Sequence, residues 1–308
     1  MNSNSSTLEL FQRFMNAYSA ISDNKSYSGS LASVQDSDGI ILLGTHVTAE
    51  SQELFQALES ASKTKDAKIL YAHPIEDTAM SQIAQQFMKY EPGAEEGLLA
   101  LMAYHLLADV NLPESIKEFL GDLDLGYLEA ESNIGEEEFE NMLEIMKNSQ
   151  MKMMIIGSDV MAHPRAQNIA KLSALIEKYS DFSLLIMPDT KDLVDYVGVS
   201  EVVSTLEAID ELPEFNGTVI YNIDNRHSSD KILHGSAQFA RAAKIDDGDF
   251  ISVSFAGVTI ERRFKVEDEL KGTIAINPTF DISVDPNRYK FERSQINKIN
   301  QNSESNNE

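Results

Sequence analysis

The sequence predicts an α/β fold in which two Rossmann-like lobes with parallel sheets, related by an internal repeat, precede a small β-barrel-like domain. Three observations lead there. One pattern occurs twice: Ile40-Ile41-Leu42-Leu43-Gly44-Thr45-His46-Val47-Thr48-Ala49 returns as Met153-Met154-Ile155-Ile156-Gly157-Ser158-Asp159-Val160-Met161-Ala162. The two glycines stand 157 − 44 = 113 residues apart, and the offset holds for the Thr/Ser, Val and Ala positions too. Each copy opens with an uninterrupted apolar run ended by glycine, the mark of a strand buried on both faces in a parallel sheet. After about residue 230 the apolar period changes from helical to two-residue alternation, which signals a separate β unit.

The elements follow in order along the sequence. Residues 1–30 read as a peripheral segment, with Leu8, Leu10, Phe11, Phe14, Met15 and Tyr18 at helical spacing and a Ser/Asn/Gly-rich loop behind them. The first lobe, residues 31–150, begins with the strand ending at Leu43. Thr48 is the expected N-cap of a helix whose inner face carries Leu54, Leu58 and Ala61. Lys68-Ile69-Leu70-Tyr71-Ala72 is the next strand, stopped by His73-Pro74, so strand, helix and strand have the size of a βαβ unit. Glu91-Pro92-Gly93 turns into a helix with Leu98, Leu101, Met102, His105 and Leu106 on its apolar side. Gly135 opens another, with Glu136, Glu137 and Glu138 placed where the helix dipole favours acids and Phe139, Met142, Leu143 and Met146 as its buried stripe. The five methionines from Met142 to Met154 read as adaptable core filler.

The second lobe, residues 151–230, repeats the plan. His163-Pro164 sets a helix start, and Ile169, Leu172, Leu175 and Ile176 face inward. The strand through Leu184, Leu185 and Ile186 stops at Pro188, and Thr218-Val219-Ile220-Tyr221-Asn222-Ile223 supplies a third. In residues 231–284, Ile251, Val253 and Phe255 alternate with polar partners, as do Val258 and Ile260, Phe264 and Val266, and Ile274 and Ile276. Turns fall at Ala256-Gly257 and Lys271-Gly272. Residues 285–308, rich in Asn, Ser, Glu and Lys, are expected to be a disordered tail.

Composition narrows the function. Net charge is −25, which repels nucleic acid and anionic lipid surfaces. The adjacent Arg262 and Arg263 read as solvated side chains on a strand face. No apolar stretch approaches the roughly 20 residues of a membrane helix. The first residues have neither the basic nor the apolar region of a secretory signal, so an intracellular, soluble protein is expected. With no cysteine, the chain has no disulfide, no thiol nucleophile and no cysteine ligand for an iron–sulfur cluster.

The candidate cofactor-binding residues are Gly44, Thr45, Gly157 and Ser158, where strand carboxyl ends meet helix starts and backbone N–H groups can hold an anion. Neither turn has the GxGxxG or P-loop pattern, so a plain tight connection is the competing explanation. The histidines at 46, 73, 105, 163, 227 and 234 form no metal-binding spacing. His105 is expected packed or half exposed on its helix. The polar run Asp224-Asn225-Arg226-His227-Ser228-Ser229-Asp230 reads as the connection between the α/β part and the β unit. No catalytic residue and no metal ligand is assigned.

The order of these features resembles the C-terminal region of the molybdopterin-oxidoreductase superfamily, and in particular the large iron–sulfur subunit of respiratory complex I, the NADH:quinone oxidoreductase. The resemblance spans about residues 31–280. It is carried by Asp38-Gly39-Ile40-Ile41-Leu42-Leu43-Gly44-Thr45 with Glu50, by Ala67-Lys68-Ile69-Leu70, and by Pro92-Gly93-Ala94-Glu95-Glu96-Gly97-Leu98-Leu99-Ala100-Leu101. Met154-Ile155-Ile156-Gly157-Ser158 and Ala242-Ala243-Lys244-Ile245-Asp246-Asp247-Gly248-Asp249-Phe250-Ile251-Ser252-Val253 complete it. The family's cysteine-rich cluster-binding region has no counterpart, and no residue replaces its molybdenum ligand. The resemblance therefore implies a cofactor-free scaffold subunit, or a fragment of one, that packs against other subunits of a respiratory oxidoreductase complex and is not catalytic alone. It implies a cytoplasmic location, peripheral at the inner membrane through the complex, without direct membrane insertion. The alternative is a molybdopterin- or nucleotide-binding subunit of a split oxidoreductase.

Overall fold

The structure, a computed structural model, describes residues 3–189, 205–223, 230–279 and 288–299. It divides into two units, Met1–Pro213 with Pro286–Tyr289, and Glu214–Asp285 with Lys290–Glu308.

The first unit is built on one five-stranded parallel sheet. Its strands are β1 (Gly39–Leu43), β2 (Lys68–Ala72), β3 (Gln86–Met88), β4 (Lys152–Ile156) and β5 (Phe182–Ile186), in the order β3-β2-β1-β4-β5. β1 is buried along its whole length and β4 at all but its first residue, as the unbroken apolar runs predict. The two copies of the repeat are neighbours in this sheet: Gly39 pairs with Lys152 and Leu43 with Ile156. The sequence offset between the copies is thus the register offset between the central strands. The two lobes are two halves of a single sheet, with β2 and β5 flanking the centre on either side.

Local chemistry sets the helices. Ser51, not Thr48, caps the long helix Gln52–Lys65, its hydroxyl accepting from the Leu54 N–H at 3.2 Å. Thr48 instead lies inside a short turn, Val47–Glu50, and bonds Asp77 through both its N–H and its hydroxyl. The helix Glu95–Leu106 is buried on every side through Ala103, as its continuous apolar content requires. In the helix Glu136–Met146, Phe139, Met142 and Met146 are buried, but Leu143 is 37% exposed. Of the five methionines, Met151 is the exception to the core role, 55% exposed.

The N-terminal segment is not peripheral. The helix Ser3–Ser22 buries Phe11, Phe14, Met15 and Tyr18 against the helix Ala166–Tyr179, and the Tyr18 hydroxyl donates to Glu177. Its apolar stripe is part of the main core because it packs on the helix that itself covers β5.

The second unit is a seven-stranded curled sheet. It comprises β6 (Val219–Ile223), β7 (Ile232–Gly235), β8 (Phe250–Phe255), β9 (Val258–Val266), β10 (Ile274–Pro278), β11 (Phe291–Arg293) and β12 (Gln295–Lys298), in the order β11-β6-β10-β7-β9-β8-β12. Val219–Ile223, expected in the second lobe, is a strand of this sheet, paired in parallel with β10. β7 and β9 are also parallel; the other pairs are antiparallel. The two edge strands are one stretch of chain broken only at Ser294, so the sheet curls until both edges meet the same segment. Residues 291–298 of the expected disordered tail are therefore ordered strand, because they supply the pairing that β6 and β8 lack. Residues 285–287 and 300–308 of that tail, and residues 224–229 of the polar run, lie outside the described residues.

Arg262 is buried, in contrast to the solvated reading. Strand alternation puts it on the same face as Ile260 and Phe264. Its guanidinium is satisfied there by Asn277 Oδ1 at 3.0 Å and by the carbonyls of Pro278 and Glu261, each at 2.9 Å.

Phe14→Ala is expected to destabilise the protein by about 3–5 kcal/mol, the usual range for a buried Phe. Urea unfolding measures this. A loss under about 1 kcal/mol would return the N-terminal helix to a peripheral role.

A candidate site at the strand carboxyl ends

From β1 the chain winds outward through β2 and β3, then returns to the other side of β1 as β4. The crevice beyond the carboxyl ends of β1 and β4 is thus the topological switch point, where open α/β sheets bind ligands. Gly44-Thr45 and Gly157-Ser158 both lie there, and the structure brings all four together.

They meet too closely to leave a phosphate cradle. The Gly157 N–H donates to the Leu43 carbonyl at 2.7 Å, the Asp159 N–H to the Gly44 carbonyl at 3.0 Å, and the Gly44 N–H to the Ala72 carbonyl at 3.3 Å. A Cβ on Gly157 would sit 2.1 Å from the Gly44 carbonyl oxygen and 2.5 Å from Thr45 Cβ. Gly44 has φ +75°, a left-handed conformation that favours glycine. Thr45 is buried and its carbonyl accepts from the Tyr71 hydroxyl at 3.1 Å, while the Ser158 hydroxyl donates to Glu50.

Around these turns is a buried ionisable network that the sequence reading did not assemble. His73 and Asp159 are fully buried, with Nε2 3.1 Å from Oδ2. His46 Nδ1 is 3.4 Å from Asp77 Oδ2, and its ring stands edge-on to His73 at 5.7 Å. Asp77 also accepts from the N–H groups of Thr48 and Ala79, so it is held as a helix cap. Burial, reinforced by the neighbouring His73, lowers the His46 pKa to about 4.

The second half of the network starts at the Glu91-Pro92-Gly93 turn. Glu95 is wholly buried; its Oε1 accepts from the Tyr289 hydroxyl and from the Tyr90 hydroxyl, the latter at 3.2 Å. The Gly93 N–H donates to the Tyr289 oxygen at 2.9 Å. His163 is fixed as one tautomer, Nε2–H donating to the Gly93 carbonyl at 3.0 Å while Nδ1 accepts from the Arg165 N–H at 3.0 Å. Burial raises the Glu95 pKa to about 7, against the lowering effect of the Tyr289 bond, and burial lowers the His163 pKa to about 4. Glu96, also fully buried, is compensated: Arg165 Nε lies 3.0 Å from both of its oxygens and Asn168 donates at 2.6 Å. Arg165 and the buried Lys171 both reach Glu207 as well. His105 stands apart, partly exposed and stacked on Phe139 at 4.7 Å, with its pKa lowered by burial.

Two features of the sequence bear on this cluster. Asp159 occupies the place of His46 in the repeat, and His73 and His163 each precede a proline just beyond a strand or turn. Tyr289 carried no such signal. Among the described residues no group of His, Cys, Asp and Glu has metal-binding geometry. No helix among them is long and apolar enough to cross a membrane.

No protein-family model matches the chain, and no curated protein does. Among solved structures, the acetylene hydratase of Pelobacter acetylenicus matches with a TM-score of 0.54 at 8% identity, over 89% of this chain and 74% of that one. The chain accordingly shares its overall fold with that enzyme.

The described residues at these strand ends do not fit the pyrophosphate of a pterin cofactor. Glu50, Asp77, Glu95, Glu96 and Asp159 gather at the strand ends, three turn N–H groups are spent on backbone carbonyls, and the nearby cations Arg165 and Lys171 are engaged by carboxylates.

This packing makes Gly157 intolerant of any side chain. Gly157→Ala should destabilise the fold severely or prevent soluble expression, since backbone would have to move; a thermal midpoint within a few degrees of the parent would refute the close approach. Stability should also carry two pH-dependent contributions of opposite sign, which overlap between about pH 4.5 and 6.5. The folded-state pKa values of His46 and His163 lie below those of the unfolded chain, so stability is lost as pH falls from about 6.5 through 4. The folded-state pKa of Glu95 lies above its unfolded value, so stability is lost as pH rises from about 4.5 through 7. Glu95→Gln should remove the Glu95 contribution across its whole window, so that the variant's stability relative to the parent rises between about pH 4.5 and 7; a pH-independent difference between the two urea-midpoint profiles would contradict the assignment.

Proposed function

We propose that this chain is a cofactor-free structural subunit, or part of one, of an NADH:quinone oxidoreductase-type complex, comparable to the C-terminal region of the large iron–sulfur subunit of complex I. The observation that carries the reading is the filled crevice. Where a fold of this class presents its switch point, the chain places its own carboxylates, histidines and tyrosines in mutual contact. The direct contact of the paired turns, where a Cβ on Gly157 would sit 2.1 Å from the Gly44 carbonyl oxygen, supports a scaffold role over the holding of an anionic cofactor between them. The absence of cysteine agrees, since the chain offers no thiolate to hold an iron–sulfur cluster.

The alternative, a subunit gripping molybdopterin or a nucleotide through Gly44, Thr45, Gly157 and Ser158, needs free N–H donors and an uncommitted cation. The geometry at those residues favours the scaffold reading over it.

Affinity purification in mild detergent tests the proposal. The expected result is co-purification with subunits of an electron-transfer complex and no pterin at molar stoichiometry by absorbance and mass spectrometry. Stoichiometric pterin, or partners belonging to no electron-transfer assembly, would overturn it.

A further inference from the structure

The far end of the five-stranded sheet carries an open hollow of about 450 Å³ at the amino ends of β4 and β5. Its apolar lining comes from Leu106, Leu143, Met146 and Phe182, and Glu140 and Glu144 stand at its rim. Leu143 matters most. By spacing it belongs to the inward stripe of its helix, yet it is 37% exposed and faces this hollow. The two lysines of the rim are neutralised in place, Lys152 by Asp181 at 2.8 Å and Lys147 by Glu144 at 3.2 Å.

The surroundings are strongly negative. Between Asp109 and Lys147 the chain has twelve acidic residues and only two lysines, and the acids are exposed or half-buried on and around three consecutive helices. Glu140 takes part in no ion pair among the described residues. An apolar hollow beside a field of one sign selects a ligand with an apolar anchor and charges of the other sign. The same field repels anionic lipid.

We propose that this hollow receives a basic amphipathic helix from a partner protein, with an aliphatic side chain seated against Leu143 and Phe182 and Lys or Arg residues along the acidic helices. The proposal rests on the scaffold reading for the existence of a partner, and names where that partner attaches.

The test uses the full-length chain and a fluorescein-labelled peptide of about twelve Leu and Lys residues at helical spacing, with a Leu/Glu peptide as counterpart. Fluorescence anisotropy should show binding of the Lys peptide alone, weakening with salt. Leu143→Gln should lower affinity roughly tenfold, and Glu140→Gln should reduce the salt dependence. Glu53→Gln, an exposed acid on another helix, should leave both unchanged. No binding to the parent chain, equal binding of the Leu/Glu peptide, or equal losses in Glu53→Gln and Leu143→Gln would each overturn the site. Native partners that stay bound to the Leu143→Gln protein in mild detergent would refute this groove while leaving the subunit reading intact.

Discussion

The close approach of Gly157 to Gly44 is the constraint on which the rest of this molecule depends. Two strands of related sequence lie in register at the centre of one sheet, so the turns that follow them must emerge side by side. Side-by-side turns leave no volume for a Cβ on Gly157. Their polar groups then bond each other, Gly157 to Leu43 and Asp159 to Gly44. A point that could hold a ligand becomes a point of closure.

Closure has electrostatic consequences. Buried carboxylates are costly unless hydrogen-bonded or neutralised. Each one here meets that requirement differently: Asp77 through backbone donors, Asp159 through His73, Glu96 through Arg165 and Asn168, and Glu95 through tyrosine hydroxyls. Glu95 is the least compensated, and burial raises its pKa accordingly. The histidines respond in the opposite sense, because burial disfavours their cationic form. The network is therefore suited to holding the strand ends together and poorly suited to receiving an anion.

Much of this was legible in the sequence, and the exceptions have physical causes. The repeat marked both central strands and even their register offset, because buried parallel strands keep their apolar character along the whole run. The same apolar runs could not reveal that the copies share a sheet, since pairing between residues 113 apart leaves no local mark. Residues 291–298 looked like a polar tail because edge strands of a curled sheet expose most of their side chains. Arg262 was recoverable: its place between Ile260 and Phe264 in the two-residue rhythm puts it inside. Tyr289 was not, because only tertiary structure brings it to Glu95. The four candidate residues lie together at the switch point, but what fills that point depends on side chains distant in sequence.

Backbone hydrogen exchange at Gly157 and Asp159, followed by NMR in the purified protein, measures the closure most directly. The account predicts protection close to that of the sheet core, unaltered by adding a pterin pyrophosphate or a nucleotide. Fast exchange at these two amides, or protection that arises only with such a ligand, would contradict it.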